Sequence, residues 1–289
     1  MPISVAAEAA WARVGELPPS SLVDARLQLH HAVQIAVSAS ISYLPARPDD
    51  SHTALSWSAP IHALITEPIA ADRPVRFGVR LRDLTLLALD GAMSVTRTLA
   101  LSERTVGEAT AWLGHVASEA GLDPARLTTR KHYTIPDHPV ASGAPFSIGS
   151  GDPFRELKRY WSNAALVLDE LARTTAGASP VRCWPHHFDI ATLIAPPASA
   201  GERRSTIGVG HSPGDEWYAE PYWYVGPSPY PEPRDLPSLD GRGRWHTKGW
   251  VGAVLPASDY VAGDAEAQHS QVSACIDSAV VASRRLLRA

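Results

Sequence analysis

VRFGVRLRDLTLLALDGAMSVTRTLAL, residues 75–101, carries the pattern that decides the fold. Val75, Phe77, Val79 and Leu81 alternate with Arg76, Gly78, Arg80 and Arg82. A period of two turns one face of a strand toward the core and the other toward water. Asp90-Gly91 then separates two apolar runs, and both residues tolerate the positive φ of a tight reversal, so the stretch predicts antiparallel strands joined by a short turn. TALSWSAPIHALIT, residues 53–66, predicts extended chain before it, and a meander follows.

Helical periodicity brackets this meander. Leu22, Leu29, Val33 and Ala36 share a face of a helix that starts after Ser20 or Ser21 and stops before Pro45. A second helix, capped by Ser102, aligns Val106, Ala109, Leu113, Val116 and Ala120 and closes at Gly121. LTTRKHYTI, residues 127–135, predicts another short strand, and the proline, glycine and serine of residues 136–153 mark a boundary near residue 150.

Beyond that boundary the order recurs. Asp152 caps a helix bearing Phe154, Leu157, Trp161, Ala164, Leu168 and Leu171. Strands are predicted in WPHHFDIATLI (184–194), STIGVGH (205–211), EWYAEPYWYV (216–225) and RWHTKGWVGAVL (244–255). A closing helix from about Asp264 aligns Val272, Ile276, Ala279 and Val280. The expectation is an α+β fold of two pseudo-repeated halves, 1–150 and 151–289, each built as helix, antiparallel meander, helix.

Composition narrows the function classes. The 289 residues are 45% hydrophobic and carry a net charge of -4 with no basic block, which excludes a dedicated nucleic-acid binder. Cys183 and Cys275 are too few for a disulfide framework and fit a reducing cytoplasm. The amino-terminal stretch lacks a leader pattern and no apolar run reaches the length of a membrane span, so a soluble protein without a membrane partner is expected.

The second half concentrates chemistry. From Trp184 to Trp250 lie ten of the chain's 21 Phe, Trp and Tyr residues, interleaved with histidines and carboxylates. If residues 184–194 form a strand, His187 and Asp189 share one face and Trp184, His186, Phe188 and Ile190 the other. GVGHSPGDEWY reads as a hairpin around Pro213-Gly214, which sets His211 opposite Glu216 and Val209 opposite Tyr218. Glu216, Tyr218, Glu220, Tyr222 and Tyr224 then share a face.

His187, Asp189 and His211 make a mixed nitrogen and oxygen ligand set suited to zinc, iron or manganese. Glu216, with Glu220, would move protons, and Tyr218, Tyr222 and Tyr224 would line a pocket. The expectation is a metal-assisted hydrolase or lyase acting on a small molecule. The alternative is a noncatalytic module that binds a sugar-like or cationic ligand, with the histidines packed as ordinary core. The oligomeric state stays open.

RCWPHHFDIATLI, IGVGHSPGDEWYAEPYWYV and WHTKGWVGAVLPAS together resemble an uncharacterised family of bacterial proteins of about this length. The resemblance spans most of the chain. It implies a family label with no activity, cofactor or catalytic residue attached.

Overall fold

The computed structural model describes residues 11–195 and 205–288, so part of the amino-terminal stretch that argues against a leader lies outside the described residues. The elements run α1 (Val23–Tyr43), β1 (Ser56–Ser58), β2 (Ala63–Ile65), β3 (Val75–Arg80), β4 (Thr85–Asp90), β5 (Val95–Ala100) and α2 (Val106–Glu119). Then follow α3 (Asp152–Thr174), β6 (Arg182–Trp184), β7 (Asp189–Ile194), β8 (Thr206–Ser212), β9 (Tyr222–Ser228), β10 (Arg244–His246), β11 (Gly252–Pro256) and α4 (Ala265–Leu286). Among the described residues this is an α+β arrangement of four α-helices and two antiparallel sheets. No described helix is long and apolar enough to cross a membrane.

The first sheet is a meander, β1-β2-β3-β4-β5, and the alternation of β3 is realised with Val75, Phe77 and Val79 in the core. In the second sheet the order is β10-β11-β9-β8-β7-β6, because the β10–β11 hairpin folds back so that β11 lies beside β9. Leu55 and Cys183 exchange both backbone hydrogen bonds, at 2.9 and 2.8 Å, and so join the two sheets where β1 and β6 meet. The larger of two core clusters draws on both halves of the chain, and a small one gathers Ala63, Ile65, Leu87 and Leu89 on the other face of the first sheet.

Several expectations shift for local reasons. Asp90 closes the β4–β5 turn with its side chain, taking the amides of Ala92 and Ser94 at 2.9 Å each, so the reversal spans residues 91–94 rather than two. Helix α2 is capped by Thr105, not Ser102, because Thr105 and Glu108 form a reciprocal capping box that satisfies two free amides. Residues 127–135 form no strand. Their partners lie on α1: the Thr128 amide donates to Ser42 Oγ at 2.9 Å and the Tyr133 hydroxyl to Gln34 Oε1 at 2.9 Å.

Helix α1 is buried on nearly every side, which explains its apolar composition. One row is different. Arg26, His30, Gln34, Ser38 and Ser42 recur every fourth residue, all buried, and form a polar seam along an otherwise apolar helix.

At the other end of the chain, Gln268 is fully buried on α4 and binds the segment that precedes α1. Its Oε1 accepts from the Val14 amide at 3.0 Å, and its Nε2 lies 2.8 Å from the Val14 carbonyl and 3.0 Å from that of Val261. Gln268→Leu strands these buried backbone groups. The expected loss is on the order of 3 kcal/mol in urea unfolding, since each orphaned buried polar group forfeits its desolvation cost. A loss below about 1 kcal/mol would show that water replaces the amide.

Candidate functional site

WPHHFD is a turn between strands, not one strand. Phe188 adopts a positive φ of 55° and its amide donates to the Trp184 carbonyl at 2.7 Å, so β6 stops at Trp184 and β7 begins at Asp189. The expected alternation of His187 with Asp189 therefore fails. His187 stands exposed at the turn with its ring 4.3 Å from that of His186. The turn docks on α1: the Pro185 carbonyl accepts from His30 Nε2 and Gln34 Nε2, each at 2.8 Å, and His30 stacks on Phe188. Burial drives the His30 imidazole down to about 4, so it is a neutral donor at pH 7.

Asp189 is held from two strands away. Ala191 pairs with Gly210 and Gly210 with Tyr224, which places Asp189, Gly210 and Tyr224 on one face of the sheet. The Tyr224 ring lies flat across β8 at Gly210, where a Cβ would sit 2.5 Å from the ring. Its hydroxyl thereby reaches β7 and donates to Asp189 Oδ2. Asp189 Oδ1 is buried without a partner. Burial pushes the Asp189 carboxyl above the usual carboxylate range, opposed in part by the Tyr224 hydrogen bond. Burial, with the Asp189 charge behind it, raises the Tyr224 phenol far above its ordinary value.

A second pair repeats the device. Tyr222, on the same face, donates to Asp215 Oδ2, while Asp215 Oδ1 takes the amides of Trp217 at 2.8 Å and Tyr218 at 3.0 Å. These bonds fold residues 213–221 into a loop longer than the expected tight hairpin. The register shifts with it. Ser212 pairs with Tyr222, His211 with Trp223 and Val209 with Val225, rather than His211 with Glu216 and Val209 with Tyr218.

The three expected metal ligands consequently separate. His211 pairs with Ile190 and points to the helix-covered face, away from Asp189. It is wholly buried between Tyr160, 5.8 Å away by ring centroid, and Trp223, 5.1 Å away, and neither ring nitrogen has a partner. Burial lowers its imidazole to about 3. Among the described residues, no group of three His, Cys, Asp or Glu side chains is placed to hold a metal ion.

The other expected residues have separate settings. Glu216 is exposed on the loop. Glu220 binds the Ser258 amide at 2.7 Å and its hydroxyl at 2.9 Å, tying the loop to the turn after β11. Tyr218 donates to His246 Nδ1 at 3.0 Å, since Nε2 of that ring donates to the Lys248 carbonyl. Tyr224, Tyr222 and Tyr218 form a continuous run of rings, with successive centroids 6.2 and 4.8 Å apart, that continues through His246 to Trp250.

Arg26 and Asp215 are the members that sequence reasoning missed. The signal for Arg26 is the fourfold polar row on α1, where a charge stands out of pattern. Gly210-His211-Ser212-Pro213-Gly214 also reads as G-x-S-x-G, but here it ends an antiparallel strand and leads into a loop rather than a helix, without the setting of a nucleophile elbow. What the arrangement supplies is one free carboxylate oxygen, two pinned phenols, a buried cation and stacking rings. No family model, curated protein or solved structure matches the chain, so the chemistry of this face rests on its geometry.

Proposed function

We propose that the chain is a small-molecule-binding protein and that the Asp189–Tyr224 and Asp215–Tyr222 face is its site. Asp189 Oδ1 carries this reading: a buried carboxylate oxygen without a partner is costly, and a ligand hydroxyl or ammonium group satisfies it. The tyrosine run adds ring faces on which a sugar-like or cationic ligand stacks. In thermal-shift titrations with glucose, other neutral sugars and choline, at least one probe is expected to raise Tm saturably. Tyr224→Phe, which keeps the ring and frees Asp189, is expected to weaken that response about tenfold. A flat response to the whole panel, or an equal one in the variant, would sink the reading.

A second reading is favoured by the raised carboxyl of Asp189, which suits a proton donor. In that form the chain is a hydrolase or lyase for a small molecule. A version using zinc, iron or manganese would rest on His187 and Asp189 and needs a ligand in place of His211, because His211 lies across the sheet. Metal analysis of protein purified without an affinity tag separates the two forms: a stoichiometric ion, with melting lowered by chelator, supports the metal-assisted one. The recurrence of helix, meander, helix supports reading residues 1–150 and 151–289 as pseudo-repeated halves, with β10 and β11 departing from the pattern.

A further inference from the structure

Every member of the polar row on α1 has a partner except the first. His30 and Gln34 bind the Pro185 carbonyl, Ser38 donates to the Ile35 carbonyl at 2.6 Å, and Ser42 donates to the Ser38 carbonyl at 2.6 Å. Arg26 is only 7% exposed, its Nε is shut away from solvent without a partner, and no hydrogen bond or ion pair to it occurs among the described residues. Such a cation is costly to bury and is retained where an anion meets it.

The neighbouring carboxylates make hydrogen bonds of their own rather than an ion pair with it: Asp215 accepts from Tyr222 and two amides, and Asp24 binds Gln28 at 2.7 Å and His138 at 3.1 Å. Nevertheless the guanidinium is held in place. A Cβ on Gly214 would sit 2.7 Å from Arg26 Nη1, and Gly214 has a φ of 114°, so this loop is shaped for close approach of the cation. The same Cβ position lies 3.0 Å from the Tyr218 carbonyl and 3.2 Å from that of Glu220, so the guanidinium sits against the 213–221 loop that carries Asp215, the carboxylate of the second tyrosine pair.

We propose that Arg26 anchors a carboxylate on the ligand, so that the molecule bound on this face is a small hydroxy acid or sugar acid. The proposal rests on the small-molecule reading above and specifies the ligand's charge. A planar carboxylate can take two parallel hydrogen bonds from the paired Nη1 and Nη2 groups, the end of the guanidinium that is not sealed off as Nε is. A phosphate dianion fits poorly, because Asp215 lies close by and repels a second negative charge.

The test uses the full chain at constant ionic strength and pH 7.5, titrated separately with gluconate, glucose, inorganic phosphate and chloride. Gluconate is expected to raise Tm saturably, glucose less strongly, and phosphate no more than chloride. Arg26→Gln is expected to weaken the gluconate response at least tenfold while keeping the glucose response. Near-UV circular dichroism checks its fold, and its Tm without ligand is expected to be unchanged or higher, because an unpaired buried cation has been removed. A gluconate response equal to that of chloride, a stronger response to phosphate, or full gluconate binding by Arg26→Gln would overturn the proposal. So would a drop of more than ~5 °C in the ligand-free variant, which would make Arg26 a structural partner of Asp215. If glucose binds the wild type and gluconate gains nothing over it, the small-molecule site stands and only the role of Arg26 falls.

Discussion

Gly210→Ala is expected to cost about 3 kcal/mol and to abolish the ligand response proposed for the Tyr224 face of the second sheet. The new methyl group would sit 2.5 Å from the Tyr224 ring and 2.8 Å from the Ile190 carbonyl. The ring has room to swing away only by giving up Asp189. The carbonyl belongs to the backbone next to the β7–β8 ladder and moves only with that strand. Both routes leave polar groups unpaired, so overpacking and a lost hydrogen bond add. Gly226 supplies the control. It lies on the same face of β9, with nothing within 4 Å of its Cβ position, and Gly226→Ala is expected to stay within about 0.5 kcal/mol of wild type. Urea unfolding with unchanged slope distinguishes the two. Equal midpoints for both variants would mean that Tyr224 does not lie over Gly210.

Acid is expected to destabilise the chain well before ordinary carboxylates titrate. His211 titrates near 3 in the folded protein because burial penalises the imidazolium, whereas an unfolded histidine titrates near 6.5. The unfolded state therefore takes up the proton first. The stability contributed by neutral His211 is complete above about pH 6.5 and is lost as pH falls from there toward 3. At pH 4.5 the deficit from this one ring is on the order of 3 kcal/mol. His30, at about 4, contributes in the same direction. Asp189 opposes them: its carboxyl is raised, so its share of stability is present in acid and disappears as pH rises through that raised value.

His211→Leu removes the largest of these terms. Because neither ring nitrogen has a partner, the substitution is expected to change stability at pH 7 by less than about 1 kcal/mol and to flatten the profile between pH 6.5 and 4.5. An unaltered pH profile would show that His211 is not a source of the acid sensitivity.

The first meander and the closing helix were readable because their signals are local. Strand β3 follows from the alternation of Val75, Phe77 and Val79, and α4 begins at Asp264, whose carboxylate accepts the Ala267 amide at 2.9 Å. The candidate site was readable only as a region. Phe188 takes a positive φ that a bulky aromatic residue seldom adopts, so nothing local distinguishes the WPHHFD turn from a continuing strand. Pro213-Gly214 has the composition of a tight reversal, yet the two amides gathered by Asp215 build a longer loop and reset the partners of His211. The contact between Tyr224 and Asp189 spans three strands and depends on their lateral order, which no single segment encodes.

The backbone exchange between Leu55 and Cys183 bears on solubility. An unpaired strand margin is a template on which a second chain can polymerise. Here the margins of β1 and β6 cover one another, leaving β5 and β10 as the outer margins of the two sheets. Strand β10 is three residues long and β5 carries Arg97, so neither offers a long, flat, greasy ribbon for fibril growth. Loosening the seam by Leu55→Pro would uncover two such margins at once, and turbidity on storage would report it.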